Sequence, residues 1–381
     1  MTLSPSDQPA LQLSRATYCI AIFTAALLAC IAVPSRCAAA DDTNAPAKAL
    51  RDGSHDFDFN VGVWHTHIRR ILDPLSGSPD FIELNGTVTV RKVWGGRAEL
   101  EEIETDGPKG RWEGLSLFLY NPQSHQWSQS FLNSQRPDLG TPLIGEFRDG
   151  RADLFGGDTF KGKSIIVRGV WSDVQPDSHR YVESYSDDGG QTWKESFHAD
   201  LTRDKRAAQQ DGSAISDLPQ TDNTPADDQE FAFDLGEWHT QSKRLLHPLT
   251  GSNTWVEMDG RTNVTKVWGG RANLAEYDAD GSGGHITLLS LRWFNPVTHE
   301  WNLDFATPQV GMLGIPGIGT FKDGRGDFYD YESIGGRSLL VRFSIWKTSS
   351  DTAQSEQAFS DDGGKTWEVN WINHYTRLKP N

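Results

Sequence analysis

The stretch Phe57-Asp58-Phe59-Asn60-Val61-Gly62-Val63-Trp64-His65-Thr66-His67-Ile68-Arg69-Arg70 decides how the chain folds. Neighbours on a strand face opposite sides. From Trp64 one face carries Thr66, Ile68 and Arg70, and the other carries His65, His67 and Arg69. The second set is polar throughout and is expected to face solvent, so the Trp face points inward and ends on an arginine. A second stretch repeats the pattern, with Trp238, Thr240, Ser242 and Arg244 against His239, Gln241 and Lys243.

The recurrence extends far beyond one strand. Phe57–Arg203 overlays Phe231–Arg377 at a constant shift of about 174 residues, with roughly a third or more of positions matching. Val93-Trp94-Gly95-Gly96-Arg97-Ala98 falls on Val267-Trp268-Gly269-Gly270-Arg271-Ala272, and Asn121-Pro122 with Trp127 falls on Asn295-Pro296 with Trp301. Ser186-Asp187-Asp188-Gly189-Gly190 falls on Ser360-Asp361-Asp362-Gly363-Gly364. A unit this long is a whole domain, since solenoid and propeller repeats run about 20 to 50 residues. Residues 55–203 and 230–378 are the two domains. The polar stretch 204–229, without apolar periodicity, reads as a flexible linker.

Within each copy, short runs of Val, Ile, Leu, Phe, Trp and Thr are bounded by Gly, Asn-Pro or Asp-Gly, the pattern of an antiparallel meander. Asn121-Pro122 and Asp187-Asp188-Gly189-Gly190 are turn chemistry, and no long amphipathic helix is evident. About eight to ten strands per copy suffice to close a barrel around a ligand. The expected fold is all-β: two tandem up-and-down barrels.

The chain resembles the calycin, or lipocalin-like, superfamily at Gly-x-Trp opening the first strand, the meander, and an Arg ending the last strand (Arg203 and Arg377). The fuller pattern adds Phe-x-Phe, Trp-Gly-Gly, Asn-Pro-x-x-x-x-Trp and Ser-Asp-Asp-Gly-Gly. It is similar to an uncharacterised bacterial lipocalin-like family of unknown function, here duplicated in tandem. The resemblance implies that Trp64 and Trp238 close each barrel floor and stack on Arg203 and Arg377. It brings no established activity and no cofactor. Ser186-x-Asp188-x-Gly190-x-Thr192-Trp193 and its copy at Ser360–Trp367 also match the Asp-box of sialidase-like propellers. A propeller would show that box on several blades, so here it reads as a structural hairpin.

Candidate ligand-binding residues follow from burial. Arg70 and Arg244 lie on the inferred inward face, where an unpaired guanidinium is costly. Glu102 and Glu276 alternate in phase with Leu100 and Leu274 and are the expected partners. Arg168 and Arg342 recur in apolar strands, facing an undecided side. His65-x-His67 has the spacing of a metal pair, but the second copy replaces the later His with Gln241, so no metal is expected. No nucleophile elbow, P-loop, dinucleotide fingerprint or HExxH is present.

The N-terminus bears on compartment. Arg15 precedes an apolar run from Ala16 to Val33, followed by Cys37-Ala38-Ala39-Ala40, so residues 1–40 read as a signal peptide cleaved after Ala40. Residues 41–54 are expected to be a disordered segment. A lipobox at Leu27-Leu28-Ala29-Cys30 is the competing reading and fits less well, because apolar residues follow the cysteine. Cys19, Cys30 and Cys37 all precede the cleavage point, which leaves no thiols for disulfides, metals or catalysis. The net charge of −16 becomes −17 once the leader is removed, which disfavours nucleic acid and anionic membranes. The expected product is a periplasmic or extracellular protein with no membrane span after cleavage. Its expected function is to bind a small hydrophobic or amphipathic molecule. Two alternatives are an isomerase, hydratase or lyase using a Glu-Arg pair at the barrel mouth, and an interaction module with filled barrels.

Overall fold

The computed structural model describes residues 51–136, 138–207 and 229–379. The expected signal peptide and most of the expected linker lie outside these residues. The first barrel runs β1 (Gly62–Ile71), β2 (Phe81–Val93), β3 (Ala98–Gly107), β4 (Gly110–Asn121), β5 (Gln126–Asn133), β6 (Leu143–Arg148), β7 (Arg151–Phe160), β8 (Lys163–Gln175), β9 (Ser178–Ser186) and β10 (Lys194–Arg203). The second runs β11 (Gly236–Leu245), β12 (Trp255–Val267), β13 (Ala272–Gly281), β14 (Gly284–Asn295), β15 (Glu300–Ala306), β16 (Gly317–Lys322), β17 (Arg325–Ile334), β18 (Arg337–Lys347), β19 (Thr352–Ser360) and β20 (Glu368–Arg377). In each barrel every strand pairs antiparallel with its sequence neighbour, and the last strand closes on the first.

Closure satisfies the backbone groups that an open edge would leave unpaired. It is fixed by register, with Trp64 opposite Arg203 and Trp238 opposite Arg377. The Arg203 guanidinium lies 3.9 Å from the Trp64 ring and donates to the carbonyls of Phe59 and Val61. Arg377 sits 4.1 Å from Trp238 and donates to Phe233 and Leu235. Each indole N–H donates in turn to a backbone carbonyl four residues earlier, at Asn60 or Asp234. In β1 the burial alternates as read from sequence: Trp64, Thr66 and Ile68 are buried, whereas His65, His67 and Arg69 are exposed. Arg51–Ser54, the end of the segment expected to be disordered, is held against barrel 1. Gly53 donates its N–H to the Tyr120 hydroxyl and accepts from the Trp127 indole.

The two barrels share an apolar interface formed by the outer faces of β3–β4 and β13–β14. One buried cluster contains Ala98, Leu100, Leu115 and Leu117 together with Leu274, Leu289, Leu291 and Trp293. The Trp-Gly-Gly turns sit within it. Trp94, Gly95 and Gly96 all have positive φ, at 55°, 62° and 84°, and Trp268, Gly269 and Gly270 repeat this. A bulky residue in the left-handed region is rare and persists only where its surroundings hold it. Here each Trp backbone N–H is captured by a carboxylate of the other barrel: Trp94 N donates to Glu276 at 2.9 Å, and Trp268 N donates to Glu102 at 2.5 Å. The contact is reciprocal, as a two-fold interface between like subunits would be.

Removing both acceptors strands two buried donors at about 1–3 kcal/mol each. Glu102→Ala with Glu276→Ala should therefore lower the unfolding temperature and split a single calorimetric transition into two. An unchanged single transition in the double variant would contradict this role for the carboxylates.

Candidate functional site

The interior of barrel 1 holds a cavity of about 250 Å³, just under the roughly 300–1,000 Å³ of common ligand pockets. Its walls are largely apolar and aromatic, with Ile68, Ile103, Phe197, Ala199 and Leu201 among them. Arg70 lines it, as do residues of the loop between β5 and β6. Two links fasten that loop over the mouth. Arg70 Nη1 donates to Gln135 Oε1 at 2.9 Å, and Arg136 pairs with Asp158 on β7 at 3.1 Å.

The corresponding positions of barrel 2 are cross-linked to one another. Ser242 stands at the place of Ile68 and bonds both the Tyr277 hydroxyl (2.9 Å) and Asn373 (2.6 Å). Asn373 also receives the Trp371 indole N–H and donates to Ser355, which bonds the Tyr375 hydroxyl. A second exchange concerns Gly169 of β8. A Cβ there would fall 2.7 Å from the Tyr181 hydroxyl and 2.9 Å from Leu143, whereas barrel 2 has Phe343 at this place and the smaller Ser355 at the place of Tyr181. Phe343 packs against Phe305 and Phe328. At these positions the side chains of barrel 2 are tied to one another, where those of barrel 1 border a cavity.

The other candidates from sequence separate in space. Glu102 and Glu276 are not inside either barrel: with Leu100 and Leu274 they face the opposite barrel, and Glu102 also pairs with Arg91 of β2. The expected Glu–Arg pairing with Arg70 or Arg244 is therefore not formed. Leu100 and Leu274 are buried from outside the barrel, so the alternation they share with Glu102 and Glu276 marks the face between barrels and not the interior. Arg244 is exposed and lies 5.5 Å over Trp371. Arg168 and Arg342 stack at 4.4 and 4.8 Å on Trp193 and Trp367 of the Asp-box hairpins. In those hairpins the Ser186 hydroxyl accepts the Gly190 N–H, and Asp188 accepts from the Thr192 N–H and hydroxyl. These donors hold the Asp188 carboxyl well below the usual range, a turn-stabilising arrangement repeated at Asp362. His65 lies 3.4 Å from Asp204, and His67 lies 3.8 Å from Glu83.

Four carboxyl groups line the first cavity: Asp138 and Asp158, both paired with Arg136, and Glu101 of β3 and Glu183 of β9. Burial pushes Glu101 and Glu183 upward, against donors that favour ionisation: Ser116 and Asn60 at Glu101, and Ser196 and Tyr185 at Glu183. They went unrecognised in the sequence because the second copy has Ala275 and Gln357 there, so the repeat carries no trace of them. Beside Glu101, Glu99 is 1% exposed, and neither of its oxygens has a partner among the described residues. Burial, with Asp58 nearby, pushes its carboxyl up to about 8.

The BNR/Asp-box repeat family matches residues 184–195 and 358–369, the two hairpins alone. No curated protein sequence matches the chain. Among solved structures, the chain is similar to an S-type phycobiliprotein lyase from Guillardia theta (11% identity, 40% of this chain and 92% of the other, TM-score 0.30). It is also similar to a protein of unknown function of the DUF3598 family from Nostoc punctiforme (12% identity, 86% and 100%, TM-score 0.25). A third is EF1p2_mFAP2b bound to DFHBI (9% identity, 40% and 100%, TM-score 0.24). The functional reading rests on the chain's own residues.

Glu99 supplies a test of the buried acids. An acid held protonated in the fold but ionised when unfolded makes stability fall as pH rises from about 4.5 to about 8, by up to ~1.4 kcal/mol per pH unit. Glu99→Gln should raise the melting temperature at pH 9 by roughly 4 °C or more and leave it nearly unchanged at pH 4.5. An equal shift at both pH values would contradict a neutral Glu99.

Proposed function

We propose that this chain is an exported binding protein that holds one small, largely apolar molecule in barrel 1, with barrel 2 as its support. The observation that carries the reading is the contrast between two barrels of one repeat. At matched positions one interior presents Ile68, Ile103, Ala199 and Leu201 around open space, and the other presents Ser242, Tyr277, Asn373 and Tyr375 bonded together. A fold that needed only a filled core would have no use for the first arrangement, because an empty cavity forfeits packing energy. Arg70 remains the candidate ligand contact at the mouth; Arg244, stacked on Trp371, has no such place.

The leader-like sequence of residues 1–40 and the lack of cysteine after it support the export part of this reading. The catalytic alternative loses its basis once Glu102 and Glu276 are assigned to the interface between barrels.

Titration of residues 41–381 with the uncharged dye N-phenyl-1-naphthylamine tests the proposal. One equivalent should bind per chain. Ala199→Phe, which places a benzyl group in the cavity, should abolish binding, and Arg244→Ala should leave it unchanged. Two equivalents, or undiminished binding by a folded Ala199→Phe protein, would sink the reading.

A further inference from the structure

The charges facing the first cavity are unevenly placed. Arg136 at the mouth is already matched by Asp138 and Asp158. Arg70, also at the mouth, donates to the neutral Gln135. Deeper in, the ionisable groups are Glu101, Glu183, Tyr181 and Tyr185, and no lysine lines the cavity. Glu101 accepts from Asn60 beside the floor and from Ser116 at 2.8 Å. Glu183 accepts from Ser196 at 2.9 Å. The two acids stand on β3 and β9, four strands apart around a ring of ten, so they approach the cavity from well-separated walls.

Two further observations point to a ligand. The fold does not need these acids, since the second copy closes an equivalent barrel with Ala275 and Gln357. Trp112, 3% exposed, lines the same cavity, and its indole N–H has no partner among the described residues. A buried carboxylate is costly unless a cation meets it; Arg70 is near enough to favour the ionised form of Glu183 without bonding to it, and the hydrogen bonds given for Glu101 come from neutral donors.

Resting on the cavity reading above, we propose that the ligand of barrel 1 is a compact organic cation, an amine with an apolar or aromatic body, whose protonated nitrogen is met by a cavity carboxylate, Glu101 or Glu183. The apolar and aromatic walls take the body, and an acceptor or π face on the ligand supplies the missing partner of Trp112. This reverses the expectation of an acidic head at Arg70. Arg70 works against the cation, and its partnership with Gln135 keeps it at the mouth.

The test uses three probes sharing one ring system: 2-naphthylmethylamine, 2-naphthalenemethanol and 2-naphthoate, titrated into residues 41–381 by calorimetry. The amine should bind most tightly. Glu101→Gln or Glu183→Gln should weaken the amine on the order of thirtyfold while sparing the alcohol, and Arg70→Ala should strengthen it. Amine affinity should also rise with pH below the titration of the amine itself, because burial raises both carboxyl groups and each must ionise to meet a cation. The alcohol or the naphthoate binding as tightly as the amine, or amine affinity unmoved in both glutamine variants, would overturn the cation assignment and leave the cavity reading standing. If none of the three binds and the uncharged dye is also rejected, both readings fall.

Discussion

A sheet of ten strands with one polar and one apolar face has to close, because its two edges would otherwise present rows of unpaired N–H and C=O groups. The rest of this structure depends on that closure. The first and last strands meet in a register that sets Trp64 against Arg203 and Trp238 against Arg377. The stacked guanidinium then satisfies carbonyls of the preceding turn. Once the sheet is closed, its interior must be filled by side chains or remain as space. The two copies of the repeat answer that demand differently.

Duplication leaves two kinds of surface to diverge. The outer faces of β3–β4 and β13–β14 have kept a common solution, with leucines from both copies in one cluster and a carboxylate from each reaching the strained Trp-Gly-Gly turn of the other. The interiors have parted. Barrel 2 joins Ser242, Tyr277, Asn373, Ser355 and Tyr375 into a hydrogen-bonded network that ties β11, β13, β19 and β20 together. Networks of this kind specify one arrangement when every member is satisfied. Its loop before β16 leans on the other barrel, with the Val310 carbonyl accepting from Asn121 and the Gly311 carbonyl from Ser128. The equivalent loop of barrel 1 covers its own mouth.

The fold was legible because two independent signals agree. The alternation beginning at Trp64 identified an inward face, and the recurrence at a shift of about 174 residues identified the unit. The site was legible only in part. Arg70 lines the cavity because β1 faces solvent on its other side, so its alternation has one meaning. Strand β3 has no solvent face near Leu100. Ala98 and Leu100 are buried by the second barrel, while Ile103 is buried in the first, and a pattern of apolar residues cannot say which neighbour does the burying. The inward carboxyl of β3 is therefore Glu101 and not Glu102, one residue out of the phase that the apolar pattern suggests. Glu183 and Tyr181 were missed for another reason. Attention to what the copies share hides what only one of them has.

Native mass spectrometry of the chain recovered gently from its own source is the most direct test of a single open barrel. The account predicts one retained small molecule per chain, absent from the Ala199→Phe protein prepared alongside. A bare chain mass in every preparation, or two molecules per chain, would contradict it.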